Sequence, residues 1–161
     1  MSRPLRIGVM GPGSPDPEAE ELALETGRLI ALRGGILVCG GLGGAMEAAS
    51  RGASGEGGVV LGILPGSRTG DANPWVSIPV ATGVGNARNT INVLTSQAVI
   101  AIRGSYGTLS EIALALKCGR PVVALRSWRL DLLGCGDPLF HTADTPAEAV
   151  RKAFALIPAE D

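Results

Sequence analysis

Three times along this chain an apolar run of strand length ends at glycine and passes into a helix-forming stretch. Leu5 to Met10 lead to Gly11-Pro-Gly-Ser14, Ile36 to Cys39 lead to Gly40-Gly-Leu-Gly-Gly44, and Ala98 to Ile102 lead to Arg103-Gly-Ser-Tyr-Gly107. The run from Ala98 to Ile102 suits a strand covered on both faces, and Gly104 and Gly107 permit a tight turn or a close ligand approach. Strand-to-helix turns of an open parallel sheet lie at the carboxyl ends of the strands, where such sheets bind ligands. The first N–H groups of each following helix lack internal partners and sit at its positive end, so a phosphate or carboxylate is favoured there. Gly11, Gly13 and Ser14, then Gly40, Gly41, Gly43 and Gly44, then Gly104, Ser105, Gly107 and Thr108 are therefore candidate phosphate contacts around one shared pocket.

The rest of the chain fits that frame. Strands are expected near 5–10, 36–39, 59–64, 77–81, 97–102 and 121–125, and helices near 17–33, 44–53, 87–96, 109–118 and 146–157. The alternation implies an α/β, three-layer Rossmann-like fold: a mostly parallel sheet with helices on both faces. The 161 residues make one domain, 1–161, long enough to bury roughly two thirds of its unfolded surface. Thr145-Pro-Ala-Glu148 reads as a capping box with proline at the first helical position. Thr108 and Glu111 have the same Thr-x-x-Glu spacing, so Glu111 is either a helix cap or a functional carboxylate. Residues 65–74 carry the glycine, proline and Asx content of a long loop, either a lid or a plain connection.

Several function classes are disfavoured. No glycine turn matches the full dinucleotide fingerprint and none carries a Walker lysine, which argues against a dehydrogenase or an ordinary P-loop enzyme. A net charge of −1 and only five aromatic residues give little attraction or stacking for nucleic acid. The apolar runs are too short to span a bilayer and no signal-peptide core precedes them, so a cytoplasmic location is expected without membrane contact. Cys39, Cys118 and Cys135 are scattered and read as reduced thiols, no metal site is expected, and the lone His141 reads as a turn or surface residue.

The glycine turns in this order, with Thr82-Gly-Val-Gly-Asn-Ala-Arg-Asn89 between the second and third, resemble the lysine decarboxylase-like Rossmann family over nearly the whole chain. That family includes the LOG cytokinin-activating phosphoribohydrolases and the molybdenum cofactor carrier proteins. The opening Ile7-Gly-Val-Met-Gly-Pro-Gly13, the Thr82–Asn89 segment and the helix Glu111-Ile-Ala-Leu-Ala-Leu-Lys117 are more similar to the carrier branch. The resemblance implies a homo-oligomer, dimer or tetramer, that binds a phosphorylated small molecule: a molybdenum cofactor-like pterin or a nucleotide, with no other cofactor required.

From the hydrolase branch the resemblance carries a catalytic arginine to Arg88, a threonine to Thr108 and a glutamate to Glu111. It departs at Asn89, where that branch has lysine, at Arg103, where it has the loop proline, at Ser105, where it has a loop glycine, and at Ser110, where it has an acid. N-glycosidic hydrolysis needs a carboxylate to steady an oxocarbenium-like centre or activate water, and cations to hold phosphate. Arg88 and Glu111 would form that minimum, although Arg88 is equally open to a structural pairing with Glu111. Arg103 either restores a phosphate-binding cation or is a surface residue at the strand end. The expected activity is binding or carriage, and the alternative is a nucleoside 5'-monophosphate phosphoribohydrolase. Apolar residues on 88–96 and 109–118, among them Ile91, Val93, Leu94, Ile112, Leu114 and Leu116, are expected to support self-association.

Overall fold

The computed structural model describes residues 3–131, 134 and 136–159, so Cys135 lies outside the described residues. Among the described residues seven strands form one parallel sheet: β1 (Arg6–Met10), β2 (Ile36–Cys39), β3 (Val60–Leu64), β4 (Ile78–Ala81), β5 (Ala98–Ile102), β6 (Val122–Leu125) and β7 (Phe140–Ala143). Their spatial order is β4-β3-β2-β1-β5-β6-β7. The chain builds outward from β1 to β4, then returns to the other side of β1 with β5. The crevice at the carboxyl ends of β1 and β5 is thus the topological switch point, where open α/β sheets bind ligands.

Five α-helices among the described residues cover the sheet: α1 (Pro17–Leu32), α2 (Ala45–Gly55), α3 (Arg88–Thr95), α4 (Tyr106–Lys117) and α5 (Pro146–Leu156). One face packs Ile7, Leu37, Ile100, Ile102 and Leu125 against α1, α2 and α5. The other packs Val99, Ala101 and Val122 against Val93 of α3 and Ile112 and Ala115 of α4. With both faces covered, the central strands need no polar alternation, and all five residues of β5 are buried. Each fully buried Ile, Leu or Val contributes about 1.5–3 kcal/mol relative to exposure.

The six expected strands and five helices form within a few residues of their expected bounds. β7 went unread because Phe-His-Thr-Ala is short, polar and at the sheet edge. Its connection from β6 contains no helix among the described residues. His141 sits on this edge strand, with Nε2 3.0 Å from the Pro138 carbonyl oxygen. No helix among the described residues is long and apolar enough to cross a membrane.

The two Thr-x-x-Glu sequences behave differently. At α5, Thr145 accepts from the Glu148 N–H at 3.2 Å, and Glu148 accepts from the Asp144 N–H at 3.0 Å. At α4 the expected capping box does not form, because the helix begins earlier, with Ser105 in the N-cap position and no side-chain cap bond. Gly104 causes this: at φ +87° it turns the chain immediately after β5, and a Cβ there would collide with the Thr108 side chain. Thr108 is thereby buried inside the first turn and Glu111 falls one turn further on.

Helices α1 and α2 approach at backbone distance. A Cβ on Gly27 would run into the Ala49 carbonyl oxygen, and one on Gly52 into the Leu24 carbonyl oxygen. Gly55, at the end of α2, has open space where a Cβ would go. Gly27→Ala should therefore lower unfolding free energy by about 1–3 kcal/mol through overpacking. Gly55→Ala should leave it unchanged or raise it by up to about 1 kcal/mol. Urea denaturation of the two variants checks the opposite signs.

Candidate functional site

The turn after β1 and the first turn of α4 meet at the switch point. Between them is a cavity of about 260 Å³ lined by Gly11, Pro12, Gly13, Ser14, Met46, Arg88, Ser105, Gly107, Thr108 and Glu111. Eight of the expected site residues thus come together, joined by Pro12 and Met46, which the sequence reading did not single out. Arg103 and Gly104 lie next door, in a larger cleft that shares Ser14 and Ser105 with this cavity.

The Gly40–Gly44 turn lies behind the cavity. Gly40 and Gly41 are buried, and a Cβ on Gly40 would collide with the Arg88 guanidinium. Ala45 N–H donates to the Pro12 carbonyl at 3.0 Å, locking this turn onto the turn after β1. Gly44 faces a separate small cavity with Glu47 and Arg51, and Gly43 has open space around it. The 65–74 segment is pinned to the same turn: Asn73 donates its N–H to the Gly41 carbonyl at 2.8 Å and its amide to the Leu42 carbonyl at 3.0 Å. It is an anchored connection on the β2–β3 side of the sheet.

Arg88 opens α3 and is only 9% exposed. Its Nη1 donates to the Gly40 carbonyl at 2.5 Å and to the Ile63 carbonyl at 2.6 Å. Its Nε is buried without a hydrogen-bond partner, and no carboxylate lies within 4.0 Å among the described residues. The direct Arg88–Glu111 pairing is therefore not made; two carbonyls hold the guanidinium instead. Burial disfavours its charge, and the more distant Glu111 partly offsets that. A buried cation with carbonyl partners and a spare donor is suited to receive an anion.

Glu111 faces the same cavity from α4. Burial pushes its carboxyl up to about 7, and the opposing pull of Arg88 is the smaller effect. The N-terminus of α4 has no side-chain cap, whereas α1 and α5 are capped by Asp16 and Thr145. The open donors of α4 thus point where the cavity lies. Cys39, buried beneath the Gly40–Gly44 turn, is held neutral by burial, with Sγ 3.5 Å from Ser50 Oγ.

The raised Glu111 carboxyl has a stability consequence. The native state keeps a proton that the unfolded chain releases near pH 4.5, so stability falls as pH rises from there through about 7 and levels off above. Glu111→Gln removes this loss. Its melting temperature relative to the parent chain should therefore rise between about pH 5 and about pH 8, as read by thermal melts followed by circular dichroism.

Comparison with known proteins agrees with this architecture. The molybdenum cofactor binding protein of Rippkaea orientalis has 41% identity and a TM-score of 0.90, over 98% of this chain and 100% of that one. The molybdenum cofactor carrier protein of Chlamydomonas reinhardtii has 38% identity and a TM-score of 0.88, over 96% of this chain and 98% of that one. An uncharacterized protein of Archaeoglobus fulgidus is 48% identical over 123 residues, 76% of this chain and 80% of its own. The DNA processing protein A of Helicobacter pylori, at 18% identity and a TM-score of 0.70 over 96% of this chain and 82% of that one, shares the fold alone. The SLOG cluster4 family matches residues 4–152, nearly the full length, and the chain belongs to that family.

Proposed function

We propose that this protein binds and carries a phosphorylated small molecule, a pterin of the molybdenum-cofactor type, with the phosphate in the cavity between the β1 turn and α4. The observation that carries this reading is Arg88: a buried guanidinium with an unpartnered Nε, lacking a carboxylate counter-ion among the described residues, in a cavity whose far wall is an uncapped helix N-terminus. Likeness to proteins described as molybdenum cofactor carriers over nearly the whole chain supports it. Ser14, Ser105, Gly107 and Thr108 line the position of the phosphate and supply hydroxyl and backbone donors.

Glu111 favours a second reading. A carboxyl near pKa 7 beside a cation is suited to general acid–base work, as a nucleoside 5'-monophosphate phosphoribohydrolase would need. Against it, Asn89 and Ser110 supply neither a second cation nor a second acid. AMP incubated with the protein should release no ribose 5-phosphate above the Glu111→Gln background; robust release that this variant abolishes establishes the hydrolase instead.

Sulfate, a dianion throughout the neutral range, tests the anion site directly by calorimetry. Arg88→Met should weaken sulfate binding by about tenfold or more, the worth of a charged hydrogen bond. Binding should also weaken as pH rises through about 7, because ionised Glu111 adds a negative charge to the cavity; Glu111→Gln should flatten that dependence. Unchanged sulfate affinity in folded Arg88→Met removes the reading.

We further propose self-association through α3 and β4. Val93 and Ile112 are spent on the core, whereas Ile91 and Leu94 of α3 stay exposed, as do Ile78 and Val80 on the edge strand. In register, Ile78 and Val80 follow Leu61 and Ile63 on the sheet face covered by α3 and α4, but α3 is only eight residues long and leaves them open. Light scattering should give a multiple of 16.3 kDa, and Ile78→Asp with Leu94→Asp should reduce it to the monomer.

A further inference from the structure

A cleft of about 820 Å³ adjoins the Arg88 cavity and shares Pro12, Ser14 and Ser105 with it. The smaller space suits a phosphate; the larger one has the volume of a site for a ring-bearing ligand. Three arginines line it, Arg103, Arg126 and Arg129, together with Trp128.

The sequence reading gave the segment 126–129 no role, yet it is held in place by specific bonds. Ser127 Oγ donates to the Arg103 carbonyl at 2.5 Å, and Trp128 Nε1 donates to the Ser105 carbonyl at 3.0 Å. Tyr106, 80% exposed, stacks on Trp128 with centroids 6.1 Å apart and an interplanar angle of 28°. Trp128 itself is half-buried and packs with Leu130 against the core on the α3–α4 face, so the stack with Tyr106 is fixed from below and presents an aromatic surface at the cleft. Arg103 and Arg126 follow register partners Ile102 and Leu125 and are the non-glycine residues at positive φ among those described, +42° and +46°. That conformation is costly for a side-chain-bearing residue.

Charge decides what the cleft accepts. Asp16 and Glu18 hold Arg103 at 3.1 and 2.9 Å, and Glu18 also reaches Arg126 at 3.2 Å. Two carboxylates set against three guanidinium groups leave one positive charge. Arg129 carries it, with no acid within 4.0 Å among the described residues.

We propose that this cleft takes a planar heteroaromatic ring bearing an anionic group, stacked against Trp128 with Arg129 as its counter-ion. It rests on the binding reading above, as the far end of the same ligand whose phosphate lies at Arg88. The ring and phosphate compartments connect through Ser14 and Ser105, so one molecule spans both.

Pterin-6-carboxylate, which is flat, anionic and free of phosphate, is the probe, with calorimetry on the full chain. Trp128→Ala and Arg129→Ala should each weaken it by about tenfold, and Trp128→Phe should retain most of the affinity. Sulfate binding should stay within about twofold in all three variants. Absent binding to the parent chain, or affinity indifferent to both alanine variants, overturns the proposal. Dependence on Trp128 alongside sulfate binding that ignores Arg88 keeps the ring compartment and discards the phosphate assignment, so the two ideas fail separately.

Discussion

A guanidinium removed from water must be given back its hydrogen bonds, and most of the site's architecture follows from how Arg88 is compensated. Its two carbonyl partners come from the ends of β2 and β3, and its own backbone opens α3. One side chain thereby ties a helix on one face to two strand ends, and Gly40 must lack a side chain to let it through. Carbonyls orient the group but leave its charge uncancelled, unlike a carboxylate. The fold therefore holds a net positive charge at the switch point.

This chain departs from the hydrolase pattern it resembles in how many charges surround that same point. With Asn89 and Ser110 in place of lysine and an acid, the cavity keeps one cation and one carboxyl that is half protonated near neutrality. Such a pair receives an anion with little electrostatic opposition. It has less with which to stabilise charge developing along a breaking glycosidic bond.

Much of this was legible before any coordinates. Apolar runs mark buried parallel strands because such strands need no polar face; three of the seven were found as runs ending in glycine and three more from the alternation of strand and helix patterns. β7 escaped because an edge strand has one neighbour and tolerates His141 and Thr142. The start of α4 was misplaced because Thr-x-x-Glu is a capping signal only if the preceding backbone is extended; Gly104 at positive φ starts the helix early, and that conformation is not written in the spacing. The meeting of the β1 and β5 turns followed from where strand ends lie in a parallel sheet, whereas Arg88 was singled out only through the family resemblance, and the Gly40–Gly44 turn expected at the same rim lies behind the cavity. The Arg126–Arg129 segment was not foreseen, since it reads as an ordinary polar loop until β6 sets it beside β5.

The walls of the large cleft differ in stiffness. Asp16 both caps α1 and grips Arg103, and α1 is fixed to α2 by backbone contact at Gly27 and Gly52. That wall therefore moves only if an entire helical layer moves. The opposite wall, Ser127 to Arg129, belongs to no helix or strand and is held by two hydrogen bonds to the β5–α4 turn and by Trp128 packed on the core and on Tyr106. Any widening of the cleft will run along this softer side rather than through the helical layer.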